Sequence, residues 1–156
     1  MITVIVVNWN AGKQLSTCIE SIIRYGAGLV RQIVVVDNGS EDGSDASIEN
    51  LAPVTLIRTG ANLGFGRACN VGAGQAQSKY LLFLNPDAAL YADTLPKVLA
   101  YMQDPAQARV GICGVQLLDE RGHVARSCAR FPSAAGFIAH GTGLTRIISG
   151  LGYFMH

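Results

Sequence analysis

Short runs of apolar residues alternate with amphipathic stretches along the first part of the chain. Ile2–Val7 is a continuous, mostly β-branched run, which is typical of a strand buried on both faces. In Lys13–Tyr25 the apolar side chains instead recur at helical spacing, and Gly26 follows as a stop signal. The pattern therefore predicts a strand over residues 2–7 and a helix over residues 13–25.

The same alternation continues to the middle of the chain. Further buried strands are predicted over residues 32–36, 54–57 and 80–84. A short helix is predicted after Ser44, and a longer one over residues 65–77. Strands that alternate with helices across short loops predict an α/β fold, in which helices cover both faces of an open, mainly parallel sheet.

The pattern changes in the later part of the chain. A helix is predicted over residues 94–102 and a strand over residues 110–118. Asp119–Gly122 has the composition of a hairpin turn leading into residues 123–127, so we expect an addition of mixed direction to the sheet. Residues 136–156 are rich in glycine and apolar residues and have the pattern of an amphipathic helix without strong caps.

Composition and charge restrict the class of protein. The chain has 156 residues, of which 49% are apolar and 15% are charged. This hydrophobicity excludes an intrinsically disordered protein, while the mean hydropathy of +0.29 leaves a membrane-proximal surface open. The net charge is only +1 and the chain has no basic cluster, so nucleic-acid binding is not expected.

The apolar runs and the cysteines point to the cellular compartment. No apolar run is long enough to cross a bilayer, and the N-terminus lacks the pattern of a signal peptide. Cys18, Cys69, Cys113 and Cys128 are widely and irregularly spaced, without a metal-binding pair. Each lies among apolar or small residues, as packed, reduced thiols do. We therefore expect a cytoplasmic protein.

Polar residues and glycines follow the four predicted strands directly. Asn8 follows the first strand, Asp37 the second, the Gly60–Gly64 loop the third and Asn85-Pro86-Asp87 the fourth. In open α/β sheets, ligands bind beyond the carboxyl ends of the strands. We therefore expect these residues to gather along one edge of the sheet.

Two of these strand ends have the side chains of a nucleotide site, and each has a structural alternative. Asp37 can accept a hydrogen bond from a ring N–H of a nucleobase, or it can shape the turn and cap the next helix. Asn85 and Asp87 offer oxygen ligands to Mg²⁺ or Mn²⁺, with a diphosphate supplying others. Otherwise they form an Asn-Pro turn with a solvated carboxylate. The residues alone leave these alternatives open.

The glycine loop before residue 65 supports a rival hypothesis. Glycines before a helix let backbone N–H groups approach a phosphate, and Arg67 is a charged partner for a phosphate or a base carbonyl. Gly64 and Gly66 match the first two glycines of a dinucleotide-binding fingerprint, but Cys69 replaces the third. Asp87 lies about where that fingerprint expects a ribose-binding acid. An NAD-binding domain is therefore an alternative.

Several motifs in order carry a family resemblance that runs from Ile2 to about Pro132. Together they resemble glycosyltransferase family 2, in its rhamnosyltransferase-like branch. The matching segments are Val4–Asn10, Val34–Ser40, Asn62–Phe65, Asn70–Gly72 and Phe83–Asp87.

The resemblance implies a GT-A fold that binds a TDP- or UDP-linked sugar. It implies that Asp37 contacts the uracil or thymine ring and that Asp87 is the ligand of Mg²⁺ or Mn²⁺. Asn85 stands in place of an aspartate of the family's metal motif, where it holds ribose or a metal-bound water. The family's reaction inverts the anomeric carbon of the sugar. The other residues expected to bind the nucleotide sugar are Asn8, Asn38, Asn62, Gly64 and Arg67.

The sequence departs from the family pattern at its end. The resemblance places the catalytic base in a later acidic motif, but no Asp or Glu follows Glu120. We therefore expect no catalytic base in this chain and a domain that is incomplete at its C-terminus. Residues 1–132 would form the nucleotide-sugar-binding part and residues 133–156 an apolar variable segment. The apolar residues 137–155 leave self-association or peripheral contact with the inner face of the membrane open.

Three hypotheses follow from the sequence. The first is the donor- and metal-binding half of a glycosyltransferase that acts on a glycan or a lipid-linked acceptor, with rhamnose as the sugar suggested by the branch. The second is a non-catalytic nucleotide-sugar-binding or assembly module, because the base is missing. The third and weakest is the NAD-binding domain.

Overall fold

The computed structural model describes residues 1–125 together with residues 134, 138, 141 and 142. The chain forms two compact units, Met1–Arg109 and Val110–His156. None of the helical segments that the structure describes has the length and hydrophobicity required to span a bilayer.

The first unit is built on a four-stranded parallel sheet. Its strands are β1 (Ile2–Asn8), β2 (Val30–Asp37), β3 (Val54–Arg58) and β4 (Tyr80–Leu84). They lie in the order β3-β2-β1-β4. The central strands β1 and β2 are the most deeply buried, which explains their apolar runs Val4–Val7 and Ile33–Val36. This confirms the predicted open, mainly parallel α/β sheet.

Helices cover both faces of this sheet, as predicted. They are α1 (Lys13–Tyr25), α2 (Phe65–Ala73) and α3 (Thr94–Gln103), with 3-10 helices at Ser44–Ile48 and Pro105–Gln107. Ile19 and Ile22 of α1 pack on one face, together with Leu95 of α3 and Ile48 of the first 3-10 helix. The opposite face packs against α2, which buries Ala68 there.

Helix α2 lies very close to the sheet because Gly72 faces it. A Cβ atom at this position would meet Ile5 Cγ2 at 2.5 Å and Val36 Cγ2 at 3.2 Å. The helix ends at Ala73 rather than at the predicted Gln77. Two glycines within three residues weaken helix propagation, and the N–H of Gly74 closes the last turn on the carbonyl of Asn70.

The second unit contains a small antiparallel hairpin of β5 (Leu117–Leu118) and β6 (Val124–Ala125). The predicted turn at Asp119–Gly122 is confirmed: the Asp119 carboxylate accepts hydrogen bonds from the backbone N–H groups of Arg121 and His123, at 2.9 and 2.8 Å.

Two expectations for this part of the chain are wrong. The predicted strand over residues 110–118 is reduced to its last two residues, since Gly111 and Gly114 interrupt it and Ile112 is 92% exposed. The hairpin forms a sheet of its own instead of adding strands to the parallel sheet. Four predictions lie wholly or largely outside the described residues. They concern residues 126–127, Cys128, the domain boundary at 132/133 and the amphipathic helix over residues 136–156.

Candidate functional site

A cavity of about 360 Å³ lies at the carboxyl edge of the parallel sheet. Its walls are formed by the end of β1, the loops that follow all four strands and the first residues of α1 and α2. This confirms that the strand ends gather along one edge. The lining residues are Val7, Trp9, Asn10, Ala11, Gln14, Asn38, Asn62, Phe65, Asn85, Pro86 and Asp87.

Asn8 and Asp37 form a buried polar cluster at the ends of β1 and β2, without lining the cavity. The Asn8 side-chain amide donates to Asp37 Oδ1 and to Ser44 Oγ, both at 2.8 Å, and to Ser40 Oγ at 3.1 Å. Asp37 is only 5% exposed, and its Oδ2 accepts from the backbone N–H of Ser40 at 3.2 Å. These contacts are those of the turn-shaping alternative, and the contact of Asp37 with a nucleobase stays a prediction.

Asn38 and Asn62 tie together the loops that follow β2 and β3. Asn38 Nδ2 donates to Asn62 Oδ1 at 3.0 Å, while Asn38 Oδ1 accepts from the N–H of Leu63 at 2.9 Å. Gly39 permits this approach, because it has a φ of +81° and a Cβ there would lie 2.9 Å from the carbonyl carbon of Ala61. The pair thus forms a fixed amide wall of the cavity.

Asp42 joins the start of α1 to the loop after β2. Its carboxylate accepts from the N–H of Gly12 at 2.8 Å, and from the hydroxyl and the N–H of Ser44 at 2.6 and 3.0 Å. The Ser44 hydroxyl is the main cause of the lowered pKa of Asp42. Asp42 was not among the predicted site residues, although an aspartate two residues before Ser44 is a usual signal of a side-chain–backbone turn.

Asn85 and Asp87 are exposed and line the cavity together on the loop after β4. The carbonyl of Asn85 accepts from the N–H of Ala88 at 3.1 Å and from the thiol of Cys18 at 3.6 Å. Burial, and secondly the negative charge of Asp87, raise the pKa of Cys18 to about 12. Asn85 and Asp87, the two residues predicted for the metal site, thus both line the cavity.

The side-chain oxygen atoms of Asn85 and Asp87 fit a cation whose coordination shell is completed by a phosphate-bearing ligand. Asp87 is the single carboxylate among the lining residues and Asn85 adds a neutral amide, while the side-chain oxygens of Asn38 and Asn62 already accept hydrogen bonds. Within the described residues no three His, Cys, Asp or Glu side chains group to hold a metal by themselves. Mg²⁺ commonly binds through one or two carboxylates while waters and substrate phosphates complete its shell, so this donor set suits such an ion.

Gly64 and Arg67, also predicted to bind the nucleotide sugar, lie outside the cavity lining. Gly64 has a φ of +83° just before α2, and its N–H donates to Asn62 Oδ1 at 2.9 Å. Arg67 is exposed on the first turn of that helix. Of the predicted site residues, Asn38, Asn62, Asn85 and Asp87 therefore line the cavity, and Asn8, Asp37, Gly64 and Arg67 do not.

Two aromatic side chains that were not among our predicted site residues also line the cavity. Trp9 is 58% and Phe65 is 59% exposed. The sequence did contain a signal: each is a large aromatic residue next to a strand end or a glycine loop, where burial in the core is not expected. Exposed aromatic faces at a cavity can stack on a planar ring.

Comparison with solved structures shows that the chain has a GT-A-like α/β fold. The mannosyltransferase PcManGT from Pyrobaculum calidifontis, in complex with GDP-Man and Mn²⁺, matches it with a TM-score of 0.62 at 24% identity, over 67% of this chain and 32% of that one. Residues 3–138 match the family Glycosyl transferase family 2. The chain belongs to that family.

Curated relatives are enzymes and proteins of glycan assembly by name. An N-acetylglucosaminyl-diphospho-decaprenol L-rhamnosyltransferase of Mycobacterium tuberculosis is 29% identical over 147 residues, which is 85% of this chain and 46% of the relative. The succinoglycan biosynthesis protein ExoO of Rhizobium meliloti is 27% identical over 127 residues, 80% of this chain and 36% of the relative. The chain thus spans less than half the length of these relatives.

Proposed function

We propose that this chain forms the donor- and metal-binding part of a glycosyltransferase that transfers a sugar, with inversion, from a nucleotide diphosphate to a glycan or lipid-linked acceptor. The observation that carries the proposal is the cavity itself. The aromatic side chains of Trp9 and Phe65 and the amides of Asn38 and Asn62 lie on the loops after β1, β2 and β3 or at the start of α2. The lone carboxylate, Asp87, lies on the loop after β4. A nucleoside diphosphate has the matching parts: a planar base, a polar ribose and an anionic diphosphate.

The base and ribose belong in the part of the cavity beside Trp9, Phe65 and the Asn38–Asn62 pair. Base stacking on an exposed aromatic face contributes roughly 1–3 kcal/mol. Asp37 precedes Asn38 at the end of β2, and its two internal hydrogen bonds leave acceptor sites for a ring N–H, since a carboxylate has about four. Uracil and thymine have such a ring N–H, so either base fits this acceptor.

The diphosphate would bind beside Asp87, whose carboxylate would hold Mg²⁺ or Mn²⁺. Asp87 would ligate the ion, and Asn85 would hold the ribose or a metal-bound water. When bound, the ion offsets the negative charge that develops on the departing diphosphate. We also expect Gly64 and Arg67, which follow Asn62 at the start of α2, to contact the nucleotide sugar.

The sugar and the acceptor are inferred from the relatives and not from the cavity. The mycobacterial relative is named for transfer of L-rhamnose to a lipid-linked sugar, which supports TDP-rhamnose and a lipid-linked acceptor here. A role in cell-surface polysaccharide assembly is consistent with the rhizobial relative's name. Because no Asp or Glu follows Glu120, we expect donor binding without efficient transfer by these 156 residues alone.

Calorimetric titration of the chain with UDP, TDP and NAD, each with and without Mn²⁺ or Mg²⁺, tests the proposal. We expect a pyrimidine diphosphate to bind much more tightly with the ion than without it. Asp87→Asn should remove this enhancement, whereas Glu20→Gln, at an exposed carboxylate on α1, should retain it. Tight binding of NAD without response to the ion would instead support the dinucleotide-binding alternative, and no binding by the folded chain would contradict the proposal.

A further inference from the structure

Two side chains of α1 hold the segment that carries Asn85 and Asp87, one at each end. The thiol of Cys18 donates to the carbonyl of Asn85 at 3.6 Å, where β4 gives way to the loop. One helical turn later, Ser21 Oγ accepts from the backbone N–H of Leu90 at 3.0 Å. Helix α1 therefore contacts the first and the last residue of segment 85–90 by side-chain hydrogen bonds.

These contacts are buried and mutually oriented. Ser21 Oγ donates to the carbonyl of Cys18 at 2.7 Å while it accepts from Leu90, so both functions of the hydroxyl are used. Cys18 is fully buried, and Ser21 and Leu90 are less than a tenth exposed. Leu90 and Cys18 also share the apolar core beneath the loop. A serine that faces a core is costly unless it is hydrogen-bonded, and here its partner is the loop.

We propose that Cys18 and Ser21 are positioning residues for the metal- and diphosphate-binding loop. They fix the two ends of segment 85–90, so that the Asp87 carboxylate is already held at the cavity before the ligand arrives. Groups held in place in this way avoid the loss of conformational freedom that binding would otherwise cost. The inference rests on the proposed function, because it assigns Asp87 the ion and the diphosphate.

The test compares Cys18→Ala and Ser21→Ala with the matched variant Cys69→Ala. Cys69 is also a buried free thiol, but it lies on the opposite face of the sheet against Val34 and Val36. The readout is the ratio of TDP or UDP affinity with Mn²⁺ to affinity without it. We expect this ratio to fall by about tenfold in both α1 variants, as loss of outer-shell support commonly does. Cys69→Ala should keep the ratio, and Cys18→Ser, which keeps a donor, should restore part of it.

A measurement on the wild-type chain covers the case in which a variant does not fold. Cys18 and Cys69 are alkylated under native conditions and quantified peptide by peptide. Mn²⁺ with the nucleotide should slow alkylation of Cys18 severalfold more than that of Cys69, because a ligand held by the loop opposes the opening that exposes Cys18. Equal slowing of the two thiols, or an unchanged affinity ratio in folded α1 variants, would overturn this inference alone. Absence of ion-dependent binding by the wild type would overturn the proposed function, and this inference with it.

Discussion

The side-chain amide of Asn38 donates to the side-chain carbonyl of Asn62 at 3.0 Å and thereby joins the loops after β2 and β3. The other end of the Asn38 amide accepts from the backbone N–H of Leu63. Asn38 is almost fully buried, whereas Asn62 is exposed, so the Asn38 amide cannot turn to water without movement of the loops. The wall of the cavity therefore depends on one side chain.

Replacement of Asn38 by alanine should destabilise the protein and weaken nucleotide binding. The Leu63 N–H loses its acceptor in a partly buried hydrogen bond, and a typical hydrogen bond contributes about 0.5–1.5 kcal/mol. Urea unfolding followed by circular dichroism measures the change, and calorimetry measures the affinity. Asn50→Ala, at an exposed asparagine, is the control and should change both by little. A folded Asn38→Ala variant with wild-type stability would show that the loops are held by other contacts.

The strands of the first unit could be predicted because burial leaves a clear record in their residues. Every residue of Ile2–Val7 is buried and all but Thr3 are apolar, as expected of a strand that is covered on both faces. The segment 110–118 has a similar apolar content, yet most of it is not a strand. An apolar run does not specify which strand it pairs with. Glycines within the run weaken a strand, because they lose more backbone entropy and contribute no side chain to the packing.

Part of the site could also be predicted from the sequence, because the predicted sheet topology fixes where the strand ends lie. The positions of Asn38, Asn62, Asn85 and Asp87 follow from topology, because parallel strands place their carboxyl ends at one edge. Which polar residue turns inward does not follow from topology. Asp37 and Asn8 are hydrogen-bonded within a buried network that includes Ser40 and Ser44. Asn8 lies far from its three partners in the sequence, so the sequence pattern does not reveal this network.

Gly72→Ala should destabilise the fold, whereas Gly66→Ala in the same helix should not. A Cβ at position 72 would meet Ile5 at 2.5 Å, while one at position 66 would have no neighbour within 4 Å. Overpacking of this kind typically costs about 1–3 kcal/mol, and Gly→Ala at an unhindered helical position stabilises by up to about 1 kcal/mol. Thermal unfolding of both variants measures the contrast. Equal unfolding temperatures of the two variants would mean that α2 moves away from the sheet at no cost in the free energy of unfolding.

The contribution of Asp42 to stability should depend on pH. Its pKa is lowered in the folded protein, mainly by hydrogen bonds from Ser44, so the folded state favours the carboxylate. That contribution is complete above the unfolded pKa, which is about 4, and is lost as the pH falls through the lower folded value. Asp42→Asn should therefore be less stable than wild type at pH 7, with a gap that closes at acidic pH. Unfolding free energies across this range measure the gap, and Glu20→Gln controls for net charge. A gap that stays constant with pH would contradict the assigned role.

Trp9 should report occupation of the cavity, because it is the single tryptophan of the chain and lines the cavity with more than half of its side chain exposed. A base stacked on the indole should quench its fluorescence, with the same midpoint that calorimetry gives for the nucleotide. Trp9→Ala should weaken binding by about tenfold, since a stacked base contributes roughly 1–3 kcal/mol. Trp9→Phe should abolish the fluorescence signal but retain most of the affinity, because an aromatic face remains. If binding proceeds without a change in fluorescence and survives Trp9→Ala, the base lies elsewhere in the cavity, and Phe65 becomes the side chain to replace next.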